Sequence, residues 1–342
     1  MLDKPKFEHA LQHWKQSEKL HHQKSARIHH KKKKSKSLLA RFARRIKKLK
    51  KASVNFFYLS FSSYKKIGKK KAPLPQPCTY RMHVKASTKE NPQVLAVVIH
   101  AFYFDIFIRI LEKTASISTP YTLYITTHQG IAQEVSSHMK SLGLDAHIEV
   151  YNNKGRDVLP FLKIIDLIKT NGHQVILKLH TKKSPHKAFD RGRIWCDNMV
   201  DQLLEKRIAG EAIKNFITYP TLGLIAPSNH LYPLWLKGGM NMPKIEELAK
   251  KIDHQGDIGQ LSFVGGTMFY ARVNIFDPLL KLDIKDTDFE EEPIPLDGTL
   301  AHVIERAFAL AVDKEGLETV DTQFIKSLNN QDAAELLSLY SK

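Results

Sequence analysis

Four short apolar runs, separated by helix-length segments between Val94 and Thr181, constrain this chain more than anything else in it. VLAVVIHAF from Val94, YTLYITTH from Tyr121, AHIEVYN from Ala146 and QVILKLHT from Gln174 are rich in β-branched and aromatic residues, as strands are. Between them 104–116, 129–142 and 158–170 read as helices; Pro160 falls in the first turn of the last, where a missing N–H costs little. Strands alternating with helices imply right-handed βαβ units and a largely parallel sheet, hence an α/β fold. No GxGxxG or Walker pattern accompanies them, which argues against an ordinary dinucleotide or P-loop fold.

Beyond Ser184 the pattern is helical through IWCDNMVDQLLEKRI and GEAIKNFITY, with a short strand at GLIAPSN and a helix at PKIEELAKKI. In SFVGGTMFYAR, residues 262–272, the pair Gly265 and Gly266 opens a strand that ends in Arg272, and such glycines let backbone or ligand approach closely. An acidic loop, DTDFEEEP, precedes a last helix within DGTLAHVIERAFALAV.

Charge divides the chain in two. Residues 1–90 carry 26 Lys plus Arg against 4 acids, a balance of +22, and the remainder 27 against 31, a balance of −4, which together give the net +18. The expected organisation is a basic helical N-terminal arm over 1–90 and an α/β domain over 91–342. In the arm, SLLARFARRIKKLKK places Leu38, Phe42, Ile46 and Leu49 along one face of a cationic helix, with Phe56, Phe57, Tyr58, Phe61 and Tyr64 following. Such a segment suits an anionic membrane surface, where each cation near the headgroups is worth about 1 kcal/mol. A helix packed on a partner and an arm bound to nucleic acid through phosphate attraction are the alternatives, although no motif for specific nucleic-acid reading is present. Cys78 and Cys196 form neither a disulfide framework nor a zinc motif, which fits a reducing compartment. No run of about 18 apolar residues and no secretory signal is evident, so a cytoplasmic, peripheral location is expected.

QVILKLHTKKS changes abruptly from buried strand to cations and hydroxyls, and ligands of open α/β sheets sit beyond the carboxyl ends of strands. Lys178, His180, Thr181, Lys182, Lys183 and Ser184 are therefore expected at an anion site, phosphate above all. NNKGRDVLPFL adds Asn153, Gly155, Arg156 and Asp157 at another strand end. Arg156 has a fork suited to phosphate, Gly155 gives the backbone room, and Asp157 is suited either to a ribose or sugar hydroxyl or to capping the helix. Arg156 and Lys182 converge if their two strands lie close in the sheet, as consecutive strands usually do. Trp195 and Tyr270 suit either stacking on a sugar or base, or the core.

VIHAFY, NNKGRDVLPFL, LKLHTKKS, GGTMFYAR and DGTLAHVIERAF, in this order over roughly 95–310, resemble the rhamnan synthesis protein F family of bacterial cell-surface polysaccharide synthesis. The resemblance excludes the basic arm. It implies a glycosyltransferase with a GT-A-like nucleotide-sugar-binding fold, moving rhamnose from a nucleotide-diphosphate sugar such as dTDP-rhamnose to a polyprenyl-linked glycan on the inner face of the cytoplasmic membrane. The alternative within the same family is a non-catalytic partner of a polysaccharide synthase. Metal-dependent GT-A enzymes carry an Asp-any-Asp motif where this chain has Lys178, His180 and Lys182. Ammonium groups are not metal ligands, so transfer is expected to need no divalent metal, the cations offsetting diphosphate charge directly. Inverting transfer needs a base for the acceptor hydroxyl. Asp297 is favoured, with His302 and Glu305 as further catalytic candidates, and Gly266 is placed against the donor.

Overall fold

The computed structural model describes residues 93–183, 191–295 and 297–328, together with 82–85 and residues 11, 12, 14–16 and 19. The chain divides into two compact units, Met1–Leu11 with Tyr80–Lys342, and Gln12–Thr79. In the second unit the described residues, among them Trp14 and Lys15, are helical. The cationic stripe of 37–51, the aromatic run after it and Ser184 lie outside the described residues.

In the first unit, β1 (Leu95–Ala101), β2 (Tyr121–Thr127) and β4 (Val175–His180) are buried at every position, as parallel strands covered on both faces must be. β3 (His147–Val150) is the partly exposed edge. With β5 (Leu222–Ala226), β8 (Phe269–Arg272) and β9 (Glu318–Asp321) they form a seven-stranded sheet in the order β3-β2-β1-β4-β8-β5-β9. β1 to β4 pair in parallel, as do β5 and β9, while β8 runs against both its neighbours. The mixed α/β architecture and largely parallel sheet expected from the alternation are present.

Two departures matter for the site. SFVGGTMFYAR is two strands in two sheets: β7 (Ser262–Val264) pairs with β6 (Leu231–Pro233), and β8 belongs to the large sheet. Gly265, Gly266 and Thr267 form the turn between them, the last two with positive φ. Backbone pairing also begins ahead of residue 91, where Lys85 N donates to Tyr121 O and Tyr121 N to His83 O.

Helices α1 (Phe104–Lys113), α2 (Ala132–Ser141) and α3 (Val158–Thr170) connect the first four strands. There follow α4 (Arg191–Leu203), α5 (Lys206–Thr218), the single turn α6 (Leu234–Lys237), α7 (Met242–Lys251), the turn α8 (Asp277–Leu280), α9 (Leu300–Lys314) and α10 (Thr322–Leu328). Phe161 of α3, Phe269 of β8, Phe276 and Phe308 of α9 are buried against one another, with centroids 5.1 to 6.2 Å apart. Each contributes about 1.5–3 kcal/mol by burial, and together they fix α3 and α9 relative to the sheet. From β1 the chain steps outward to β2 and β3, then returns to β4 on the far side of β1. The direction of winding reverses between β1 and β4, and ligands of open α/β sheets sit at the carboxyl ends of the strands flanking such a switch point. Among the described residues no helix is long and apolar enough to cross a membrane.

Candidate functional site

The carboxyl end of β4 holds a buried charge network. Lys178 is 1% exposed, and its ammonium donates to Asp157 Oδ2 at 2.6 Å, Thr267 O at 2.9 Å and Thr267 Oγ1 at 3.0 Å. An ammonium has three N–H groups, so none is left for a donor phosphate. Lys178 thus acts through Asp157, which is not the helix cap its position suggested: its side chain makes no cap hydrogen bond to α3. Asp157 Oδ2 instead also accepts from Thr267 Oγ1 at 2.5 Å, with His180 Nδ1 at 3.2 Å, in ion-pair range but off the hydrogen-bond line. Burial works against ionisation of Asp157, but His180 and Lys178 outweigh it and hold the carboxyl well below the usual range. His180 lies opposite His100 in the β1–β4 register. Burial lowers both imidazoles, His100 to about 3.

The Gly265–Thr267 turn closes over this network. Gly266 has φ +99°, and Thr267 has φ +50°, a conformation that costs a β-branched residue about 1–3 kcal/mol. Its bonds to Lys178 and Asp157 hold it there. A Cβ on Gly266 would lie 2.0 Å from the Trp195 ring, and one on Gly265 2.4 Å from Tyr232, so only glycine admits these aromatic rings. Trp195 also carries Lys182 Nζ over its ring, 4.6 Å from the centroid. The N–H of Gly266 donates to Glu305 Oε1 at 2.7 Å.

Arg156 reaches this group by an unexpected route. β3 and β4 are not neighbours, since β2 and β1 lie between them. The loop after β3 instead crosses the carboxyl edge of the sheet, turning on two successive left-handed residues, Gly155 (φ +62°) and Arg156 (φ +54°). Gly155 is required there twice over, because a Cβ would also come 2.6 Å from Leu159 Cβ and 2.8 Å from the Phe289 ring. Arg156 Nη1 then meets His302 Nε2 at 3.3 Å and Nη2 reaches Pro295 O at 3.5 Å. A guanidinium only donates, so His302 Nε2 is the acceptor and its Nδ1–H donates to Thr299 Oγ1 at 2.7 Å. Burial first, then the charges of Arg156 and Lys182 among others, lower the His302 imidazole and keep it neutral. Arg156 thus meets His302, whereas Lys182 lies over the Trp195 ring, and the strand adjacency on which their convergence was expected is absent.

The first turn of α9 completes the cleft. Asp297 Oδ1 accepts from Asn241 Nδ2 at 2.7 Å and lies 3.6 Å from Arg306 Nη2; the side chain remains 40% exposed. Burial alone would raise its carboxyl, but Asn241, the Gly298 N–H and Arg306 hold it below the usual value. Glu305 contrasts with it. Both its oxygens are engaged, by Gly266 N and by Arg306 Nη1 at 3.1 Å, its side chain is 17% exposed, and burial pushes it up. The Arg306 guanidinium is stacked 4.7 Å over Phe263 and donates to Lys237 O, pinning α6 to α9.

The remaining candidates are placed differently. Buried Thr181 accepts from Phe102 N at 2.8 Å and Tyr103 N at 3.0 Å, tying the loop after β1 to β4. Lys183 lies on the flank, paired with Asp105 at 2.8 Å and over the Tyr103 ring. Asn153 is exposed on the crossing loop. Tyr270 is core, its hydroxyl donating to Leu203 O at 3.2 Å. Among the described residues no group of three or more His, Cys, Asp or Glu is disposed to hold a metal ion. Thr267, Asn241 and Arg306 were not singled out from sequence; only the position of Thr267 directly after two glycines hinted at a special turn.

Two curated relatives, both bearing the name uncharacterized protein WxcX and from Xanthomonas campestris pv. campestris strains B100 and ATCC 33913, are each 36% identical over 220 residues, 64% of this chain. That stretch is 31% of each relative, so the chain spans about a third of their length. Residues 23–316 match the sequence profile described as rhamnan synthesis protein F, a match that starts inside the basic arm rather than after it. With the family motifs gathered around one cleft and the match running over most of its length, the chain belongs to the rhamnan synthesis protein F family, whose name ties it to polysaccharide synthesis.

Proposed function

We propose that this protein is a glycosyltransferase of GT-A-like fold, moving a sugar, rhamnose by the family's name, from a nucleotide-diphosphate donor such as dTDP-rhamnose to a lipid-linked glycan. The observation that carries this reading is a pair of cations beyond the carboxyl edge of the sheet, Arg156 held against His302 and Lys182 over the Trp195 ring. Neither cation has a carboxylate partner among the described residues. A diphosphate joined to a nucleoside and a sugar bears two negative charges, which two such cations offset; the leaving group gains a further charge as the sugar departs, and the same cations stabilise it. Their fixed positions do electrostatic work that a divalent metal does elsewhere, so donor binding needs none.

In the transfer, the acceptor hydroxyl oxygen forms a bond to the anomeric carbon as the carbon–phosphate oxygen bond breaks. The electron pair goes to the diphosphate and the proton to a base, with inversion at the anomeric carbon. Asp297 fits the base: it is ionised and open to an incoming hydroxyl, whereas both oxygens of Glu305 are engaged. Glu305 holds the Gly266 turn, and the ionised Asp157, fixed by Lys178, is left to accept from a donor hydroxyl. The basic arm would hold the enzyme on the inner face of the cytoplasmic membrane, so removal of residues 1–72 should abolish pelleting with anionic vesicles.

The test is turnover of a panel of nucleotide sugars by the full chain, followed by release of nucleoside diphosphate. Slow hydrolysis of one donor, lost in Asp297→Asn, supports the proposal. Failure to bind any nucleotide sugar or nucleoside diphosphate refutes it.

A further inference from the structure

Asn241 stands at the start of α7, where asparagine ordinarily caps a helix, yet its side chain makes no cap hydrogen bond there. It is fully buried, and its amide turns instead toward the loop before α9: Nδ2 donates to Asp297 Oδ1 at 2.7 Å and to Gly238 O at 3.2 Å. These partners fix which way the amide faces. A backbone carbonyl and an ionised carboxylate only accept, so a flipped amide would set oxygen against oxygen at both contacts. Its own carbonyl, Oδ1, is buried with no hydrogen-bond partner among the described residues. An apolar side chain of the same size would avoid that cost, so packing alone does not account for an amide here.

What the amide does is hold one oxygen of Asp297. Arg306 Nη2 lies 3.6 Å from the same Oδ1. The other oxygen, Oδ2, lies 3.5 Å from where a Cβ on Gly239 would sit, and Gly239, at φ +57°, has none. The turn that delivers the amide to Oδ1 thus lays backbone without a side chain beside Oδ2. The titratable groups acting on the carboxylate are Arg306 and His302 of α9. Lys244 of α7 is directed past it, to Gly298 O at 3.2 Å and toward Glu290 at 3.9 Å. Burial raises the Asp297 carboxyl, and the bond from Asn241 is foremost among the influences that bring it down.

We infer that Asn241 is the positioning residue of the base: it fixes Asp297 Oδ1 so that Oδ2 takes the proton of the acceptor hydroxyl. This rests on the role proposed above for Asp297. Proton transfer needs the accepting lone pair in line with the O–H, and a carboxylate free to turn about its Cβ–Cγ bond is seldom so aligned. The proton passes from the acceptor oxygen to Oδ2, Asp297 becomes a neutral acid, and Asn241 keeps its bond to Oδ1 throughout.

The test compares the full chain with Asn241→Leu and Asn241→Ala by two measurements. In the first, carbon-13 NMR follows the Asp297 carboxyl against pH, its resonance identified by its loss in Asp297→Asn. Both variants should titrate about one pH unit higher, the worth of a hydrogen bond to a charged group. In the second, hydrolysis of the nucleotide sugar picked out by the panel above is followed against pH. At about pH 7.5, where a carboxylate is ionised with or without Asn241, kcat should fall about tenfold, with KM and nucleoside diphosphate affinity within about twofold of the parent. The acid limb should move up with the carboxyl, because a base that binds its proton at higher pH is lost at higher pH. An unchanged kcat, with hydrolysis still lost in Asp297→Asn, overturns the inference and leaves the transferase standing. Loss of the fold in both variants also overturns it, since Asn241 is then a structural residue. A parent that turns over no nucleotide sugar removes the transferase, and the titration alone then decides: a carboxyl unmoved by loss of Asn241 overturns the inference, and a raised one upholds the hold of Asn241 on Asp297.

Discussion

Replacing Lys178 by Met keeps the volume of the side chain and removes its charge from a site that is 1% exposed. Three acceptor contacts go with it: an ion pair at 2.6 Å and bonds to two oxygens of Thr267 at 2.9 and 3.0 Å. Breaking one side of a buried pair costs about 3–5 kcal/mol, mostly because the remaining charge is left without its partner. That is a large fraction of a domain's stability. The sign of the pH dependence separates this from simple loss of packing. In the parent, Asp157 is held well below its unfolded value, so its contribution is present above the ordinary carboxylate range and is lost as pH falls through the folded value. In Lys178→Met, burial without the cation raises Asp157 above its unfolded value, and the folded state then binds the extra proton. The gap in stability between parent and variant should therefore narrow as pH is lowered from about 8 to about 5. Urea unfolding at several pH values measures it. A loss under about 1 kcal/mol, or a gap that does not change with pH, would show that Asp157 does not depend on Lys178.

Gly155→Ala and Gly266→Ala force a side chain onto left-handed backbone and into Leu159 or Trp195; each should lose at least about 1–3 kcal/mol in thermal or urea unfolding, and nucleotide affinity with it. Stability equal to the parent would mean the turns relax freely. Asp297→Asn should bind donor like the parent yet lose transfer by about 100-fold or more, the scale of a general base; retained turnover assigns the base elsewhere. Burial depresses His100 to about 3 and both His173 and His230 to about 4, so the unfolded chain takes up these protons first as pH falls below about 6.5. Stability should then fall on acidification by up to about 1.4 kcal/mol per pH unit for each, and a flat profile between about pH 7 and 5 contradicts that.

β1, β2 and β4 were legible because each is a run of apolar residues bounded by helical periodicity, and burial on both faces demands that pattern. At Gly265–Thr267 the glycines marked where β8 opens, but β7, only three residues long, gave no signal of its own. The pairing of Arg156 with Lys182 rested on adjacent strands, and β3 and β4 are not adjacent; a crossing loop carries Arg156 to His302 while Lys182 lies over Trp195. Lys178 and Asp157 show why cations in sequence are not yet a binding site. Twenty-one positions apart, each looks like a solvent-facing charge or a cap, and only the tertiary fold reveals that they neutralise one another. Asp297 beside Asn241 is the same case over 56 positions.

The most direct measurement of the central claim is a calorimetric titration of nucleoside diphosphate into the full chain in EDTA, repeated with Arg156→Ala and Lys182→Ala. Binding should persist in chelator, and each variant should lose about 1.5–3 kcal/mol, the range for a hydrogen bond to a charged group, at an unchanged melting temperature. Binding that vanishes in EDTA and returns with Mg²⁺ or Mn²⁺, or variants that bind like the parent, would contradict a diphosphate site built from these two cations.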